Sequence, residues 1–372
     1  MIRLSGSRTT LGAIVTVLAT SVVLAGCTST AGSGVDPSPV VTDDRPLSEV
    51  ALHPDPSDVE GPTTAILPNE AIEPVASDPA VALPVTVTSH DSDGELLVEV
   101  TDISRVLALD LAGSIAATVW GLGLGDQLVG RDTSTTFDGA ADLPLVTSNG
   151  HTINAEAVIA LRPTLVLTDG TIGPRDVLEQ LRQVGVTVVF LDNEPSFEGA
   201  AQLARDVGEA MGAAETGELL AASVTADVEA TLAEIAAILP ADESMRPRMI
   251  FLYLRGGSGI YYLFGEGSGA DELIAGLGGI DVAAEVGWSG ERPMTDEALI
   301  AADPDVILVM TEGLESVGGV DALLASKPAI ALTHAGENRR FVDMADGDVL
   351  SFGPRSAAVL DALARAVYAV PN

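Results

Sequence analysis

One cysteine, Cys27, is all the thiol chemistry this 372-residue chain holds. A lone thiol excludes an intramolecular disulfide and the cysteine-built zinc and iron–sulfur sites. Positive charge is also scarce. Eighteen Lys and Arg face 54 Asp and Glu, a formal charge of -36, and the one lysine is Lys327. Such a chain cannot replace phosphate counterions, so nucleic acid is excluded as a partner. The acidity reads instead as a solvated, self-repelling surface. Aromatic residues make up 3% and histidines number four, His53, His90, His151 and His334. No H-E-x-x-H spacing of the metallohydrolases occurs.

What is present begins at the N-terminus. Arg3 and Arg8 precede an apolar run over residues 11–24. The run is too short for a transmembrane helix and suits the core of a signal peptide. Leu24-Ala25-Gly26-Cys27 follows and resembles a bacterial lipobox. Cleavage there would leave Cys27 as an acylated N-terminus, tethering the protein to the outer face of the cell membrane by lipid rather than by a spanning helix. Residues 1–27 therefore read as a lipoprotein signal peptide. Residues 28–92 hold ten of the chain's 21 prolines and no periodic apolar pattern, so they read as an extended tether. Residues 81–88 and 95–100 alternate as a small hairpin.

From about residue 101 short apolar runs alternate with helical patterns. Strands are expected at 116–121, 165–168, 186–191, 249–253, 306–310 and 340–343. Helices are expected at 154–161, 174–184, 198–211, 271–277, 296–302 and 354–368. Strand–helix alternation implies α/β lobes with mostly parallel sheets. One element breaks this rhythm. Leu220, Val224, Val228, Leu232, Ile235 and Leu239 recur at steps of four and three, a single long helix over 214–239 that Pro240 stops. Such a helix would run about 40 Å. The fold read from this is α/β, two Rossmann-like lobes (93–213 and 241–372) joined by a connecting helix (214–240).

A unit recurs on either side of that helix. Glu156 lies seven residues before Pro163, and Glu297 seven before Pro304, each with an apolar helix between and an apolar strand after. The helix dipole favours Glu in a first turn, and the repetition points to a duplicated protein that binds its ligand between lobes.

Lipobox, tether, two α/β lobes and a long joining helix together resemble the class III substrate-binding proteins of iron-siderophore, cobalamin and haem ABC importers. Four stretches are more specific: 101–110, 121–132, Asn149-Gly150-His151 and Tyr253-Leu254-Arg255-Gly256. These look like the HmuT-like haem branch of actinobacterial type. The resemblance implies a non-enzymatic receptor that clamps haem b and passes it to an ABC permease and its ATPase for iron acquisition, receiving it free or from surface haem-binding proteins. It also implies His151 and Tyr253 as the axial iron ligands, Arg255 beside the tyrosine, and Glu156 and Glu297 as permease-docking residues.

Residue chemistry agrees. His151 follows a loop signal, and a loop at a sheet edge is where α/β folds place ligands. Tyr253 and Arg255, two apart on a strand, share a face, so the guanidinium could lower the phenol's pKa. Both His and Tyr ligate haem iron. Met310 could pack near Tyr253 or be ordinary core, and Trp288 could stack on a porphyrin. Met294 is a further pocket candidate. Arg131 could reach a propionate or form a structural ion pair. Two alternatives stand beside this reading: a siderophore or corrinoid receptor of the same superfamily, and a dinucleotide-dependent enzyme. The second rests on Gly265-Glu266-Gly267-Ser268-Gly269-Ala270, with Glu285 as the ribose partner.

Overall fold

Val106–Leu109, Leu165–Thr168 and Thr187–Phe190 are four-residue apolar runs buried along nearly their whole length, as expected of strands covered on both faces. They pair in parallel as the sheet of the N-terminal lobe, with Leu165–Thr168 in the middle. The computed structural model describes residues 38–41, 45–92, 94–148 and 150–371, which fall within one compact unit. The signal-peptide and lipobox readings, Cys27 included, lie outside the described residues. Among the described residues no helix is long and apolar enough to cross a membrane.

The C-terminal lobe is built on a seven-stranded sheet. Thr63–Ala65, Phe341–Met344, Val306–Met310 and Arg248–Arg255 run parallel in that order. Beyond them Ile260–Phe264 and Glu291–Pro293 are antiparallel, and Ile280–Asp281 pairs with Arg248–Arg255. The connecting helix, Ala214–Ile238, has 25 residues. Leu220, Val224, Val228 and Ile235 are its buried stripe, as the periodicity predicts. One apolar cluster runs from Val106 and Leu165 of the first lobe through that stripe to Phe251 and Leu308 of the second. The lobes thus share a core.

Two expectations change. Residues 116–121, read as a strand, belong to the helix Ser114–Gly121. The Asp110 carboxylate accepts the N–H groups of Ser114 and Ile115 and so caps that helix from four residues upstream. The stretch read as tether up to residue 92 is packed on the body from residue 45 onward. Leu47 is fully buried, Thr63–Ala65 joins the second lobe's sheet, and Leu52 bridges to Ala369. The Val75 and Ala82 N–H groups then bond Gly121 and Gly212 of the first lobe. The segment crosses from one lobe to the other before entering the hairpin Val85–Asp91 and Gly94–Val100. Asp91, buried at that hairpin's end, is held below the usual carboxylate range. Burial pushes it up, but Arg182 and Arg175, bonded at 2.8 and 2.5 Å, outweigh that.

The repeat is visible in detail. Asn154 caps Ala155–Leu161 by accepting the Ala157 N–H, and Thr295 caps Asp296–Ala302 by accepting that of Ala298. Each helix ends on a left-handed residue, Arg162 (φ 47°) and Asp303 (φ 41°). The proline that follows each bars the right-handed helical region at that position.

Candidate ligand-binding site

The strand pairs Thr147–Ser148 and Thr152–Ile153 make a short hairpin whose turn carries Gly150 and His151. Gly150 has φ 84°, a conformation glycine adopts freely. Thr133 donates its hydroxyl to the Gly150 carbonyl at 2.7 Å and so pins the turn. His151 is partly buried, and its Nδ1 is buried with no hydrogen-bond partner among the described residues. A buried orphan nitrogen is uncommon and marks a place where a ligand can enter.

In the second lobe, register sets the face. Tyr253 stands opposite Tyr262 and Phe251 opposite Phe264, while Glu291 lies across from Phe264 on the far side. Alternate residues share a face, so Phe251, Tyr253 and Arg255 stand together with Tyr262, Phe264 and Glu291. The rings of Tyr253 and Phe264 stack at 5.5 Å and 15°, and Phe264 and Phe251 at 5.4 Å and 27°. The Arg255 guanidinium lies over the Tyr253 ring, 4.4 Å from its centroid, a cation–π arrangement. It donates to Asp346 and the Leu254 carbonyl, both at 2.8 Å.

These charges act on both candidate ligands. Burial lowers the His151 pKa, Arg255 lowers it further, and Asp346 opposes them. Burial raises the Tyr253 pKa against the pull of Arg255, with Asp346 and Glu291 adding to the rise. The expectation that Arg255 would leave a more acidic phenol is therefore met in sign but outweighed by desolvation. Of the two candidate ligands, Tyr253 has the Arg255–Asp346 pair directly beside it.

The remaining candidates divide. Met310 joins the site: it is 8% exposed and its sulfur lies 3.7 Å from an Arg255 nitrogen. Trp288 and Met294 do not. They pack with Leu252, Leu254 and Leu263, the residues that alternate away from Tyr253, so they line the opposite face of the sheet. Arg131 donates its guanidinium to the Ala141 and Asp132 carbonyls, at 2.9 and 3.1 Å, and makes no ion pair among the described residues. Glu156 and Glu297 are exposed in the first turns of the two repeat helices. Sequence reasoning missed Tyr262 and Asp346. The Gly256-Gly257-Ser258-Gly259 turn would have found Tyr262, because a hairpin closed there pairs it with Tyr253.

The glycine motif at 265–270 is no phosphate cradle. Asp271 accepts the Gly267 and Gly269 N–H groups at 2.8 and 3.1 Å, and the strand leading in is antiparallel rather than part of a βαβ unit. Glu285 is paired with Arg248 at 2.8 Å.

Residues 110–346 match the model of the family described as periplasmic binding protein. The crystal structure of heme binding protein HmuT is 40% identical, with a TM-score of 0.79 over 84% of this chain and 99% of that one. A cobalamin-binding protein of Halobacterium salinarum is 28% identical over 84% of this chain and 80% of its own. An ABC transporter substrate-binding lipoprotein of Bacillus subtilis, YvrC, is 27% identical over 70% of this chain and 79% of its own. With its two lobes and long joining helix, this chain belongs to the periplasmic binding protein family.

Proposed function

We propose that this protein is the haem receptor of an ABC importer, gripping haem b between its lobes with His151 and Tyr253 as axial ligands to the iron. What supports this reading is a buried imidazole nitrogen with no partner among the described residues in one lobe, and in the other a tyrosine set under the Arg255–Asp346 pair at the end of an aromatic stack. The HmuT likeness at 40% identity supports haem over the corrinoid named for the 28% relative. Tyr262 and Phe264 extend the aromatic face on which a porphyrin can lie, and Met310 backs it. Cys27, the only thiol, would carry the lipid anchor. Twelve residues lie between it and Val40, which bridges to Thr64.

Haemin titration of the purified protein tests the reading. A saturable Soret band with the charge-transfer band of phenolate-bound Fe(III) is expected. No band, or saturable binding of cyanocobalamin instead, would refute haem as cargo. The pH dependence has a definite sign. Tyr253 starts as a neutral phenol and must lose its proton when the oxygen binds iron. Affinity should therefore rise with pH below the phenol's raised pKa, by up to about tenfold per unit. Burial, helped by Arg255, lowers the His151 pKa and so disfavours its protonation, which does not oppose this trend. An affinity that is flat between pH 7 and 9 would contradict phenolate ligation.

Glu156 and Glu297 are proposed to dock the loaded receptor on the permease, one from each copy of the repeat. Replacing both with alanine should leave haemin titrations unchanged and abolish stimulation of the transporter's ATPase in proteoliposomes. Retained stimulation would exclude them as docking residues.

A further inference from the structure

We infer that Asp346 is a positioning residue of the site, holding the Arg255 guanidinium over the Tyr253 ring; this rests on the haem reading above. Asp346 follows the strand Phe341–Met344 and uses both carboxylate oxygens. Oδ2 accepts Arg255 Nη2 at 2.8 Å, and Oδ1 accepts the Glu312 N–H at 2.9 Å. Glu312 lies in the first turn of the helix Thr311–Ser316, so one side chain ties three elements together at the carboxyl end of the sheet's parallel strands, near Tyr253. The Asp346 and Arg255 side chains are 16% and 29% exposed, which shields the pair from the screening that weakens surface ion pairs.

Space for the guanidinium is provided by the same helix. A Cβ at Gly313 would come within 3.0 Å of Arg255 Nη1 and 2.9 Å of the Leu254 carbonyl oxygen. The guanidinium is thus fixed from three sides: by Asp346, by the Leu254 carbonyl and by the Tyr253 ring beneath it. Without the carboxylate, Nη2 keeps only the Met310 sulfur at 3.7 Å, a weak acceptor. Arg255 then gains rotamer freedom and leaves the ring. Asp346 acts on the cargo only through Arg255.

That dependence is testable with a double-mutant cycle in the full-length protein, using haemin. Asp346→Asn keeps an acceptor for the Glu312 N–H and removes the charge facing Arg255. It should weaken haemin binding about 10–100-fold, as loss of an outer-shell partner does, and move the charge-transfer band to where Arg255→Ala moves it. Adding Asp346→Asn to Arg255→Ala should cost nothing more. Arg255→Lys keeps the charge but lacks the planar fork, so it should lose most of what Arg255→Ala loses, and it reads the same geometry even should Asp346→Asn fail to fold. Tighter or unchanged binding in Asp346→Asn, multiplied losses in the double variant, or native affinity in Arg255→Lys would each overturn the inference. Its failure is distinct from failure of the haem reading. If Tyr253→Phe abolishes the charge-transfer band while Asp346→Asn leaves it in place, only the role of Asp346 falls. If the native protein gives no Soret band, both fall.

Discussion

Tyr253→Phe is expected to lower haemin affinity by more than about a hundredfold and to abolish the phenolate charge-transfer band, because even outer-shell partners of metal ligands are worth 10–100-fold. The substitution removes one oxygen and little else. The ring keeps its stack on Phe264 and its place under Arg255, so the fold is preserved and thermal unfolding of the ligand-free protein should barely move. The iron then retains the His151 imidazole alone. His151→Ala removes the other ligand from the turn pinned by Thr133, a partly buried position outside the apolar clusters. In the double variant only porphyrin stacking on the aromatic face remains, and specific binding should vanish. An unchanged spectrum in that double variant would reject the site outright. A spectrum lost in His151→Ala yet intact in Tyr253→Phe would leave an imidazole site without its phenolate.

How far the sequence reveals this protein depends on whether the deciding interaction is local. The repeat helices are legible because their signals lie within a few residues: side-chain caps at Asn154 and Thr295, and prolines at 163 and 304. The connecting helix is legible from its apolar stripe. The run at 116–121 misleads because Thr118, Val119 and Trp120 favour strands, whereas the helix there is set by a cap from Asp110. The true strand, Val106–Leu109, is only four residues long. The proline-rich segment misleads for a different reason. Composition reports its stiffness, but its docking depends on Phe341–Met344, nearly 280 residues away in sequence. At the site, strand alternation correctly joins Tyr253 with Arg255. Trp288 and Met294 lie on connections whose face no local pattern gives, and Asp346 follows its strand on a turn with no motif of its own.

Docking of the proline-rich segment leads to the largest expected effect on stability, that of Arg340→Ala. Arg340 is 1% exposed. Its Nη1 donates to Thr63 Oγ1 at 2.6 Å and to the Gly61 carbonyl at 3.2 Å, and its Nη2 to the Ala366 and Val367 carbonyls at 2.7 and 3.0 Å. Burial pulls its pKa down to about 10, so it remains protonated at neutral pH. A buried cation of this kind normally requires a carboxylate. Here the last turn of the helix Ser356–Tyr368 supplies instead two carbonyls with no partner within the helix, at the negative end of its dipole. The same guanidinium therefore closes the C-terminal helix and fastens the Gly61–Thr63 stretch to the second lobe. Alanine leaves these acceptors buried and unpaired, at about 1–3 kcal/mol each, beside a void that the neighbours cannot fill. A total loss of about 4 kcal/mol or more is expected, equivalent to a fall in melting temperature of roughly 6 °C or more for a domain of this size. Limited proteolysis should then cut first within residues 45–84, while haemin still binds to the protein that remains folded. A melting temperature within about 2 °C of the native value would show that the segment is held by its apolar contacts, Leu47 foremost, and not by this arginine.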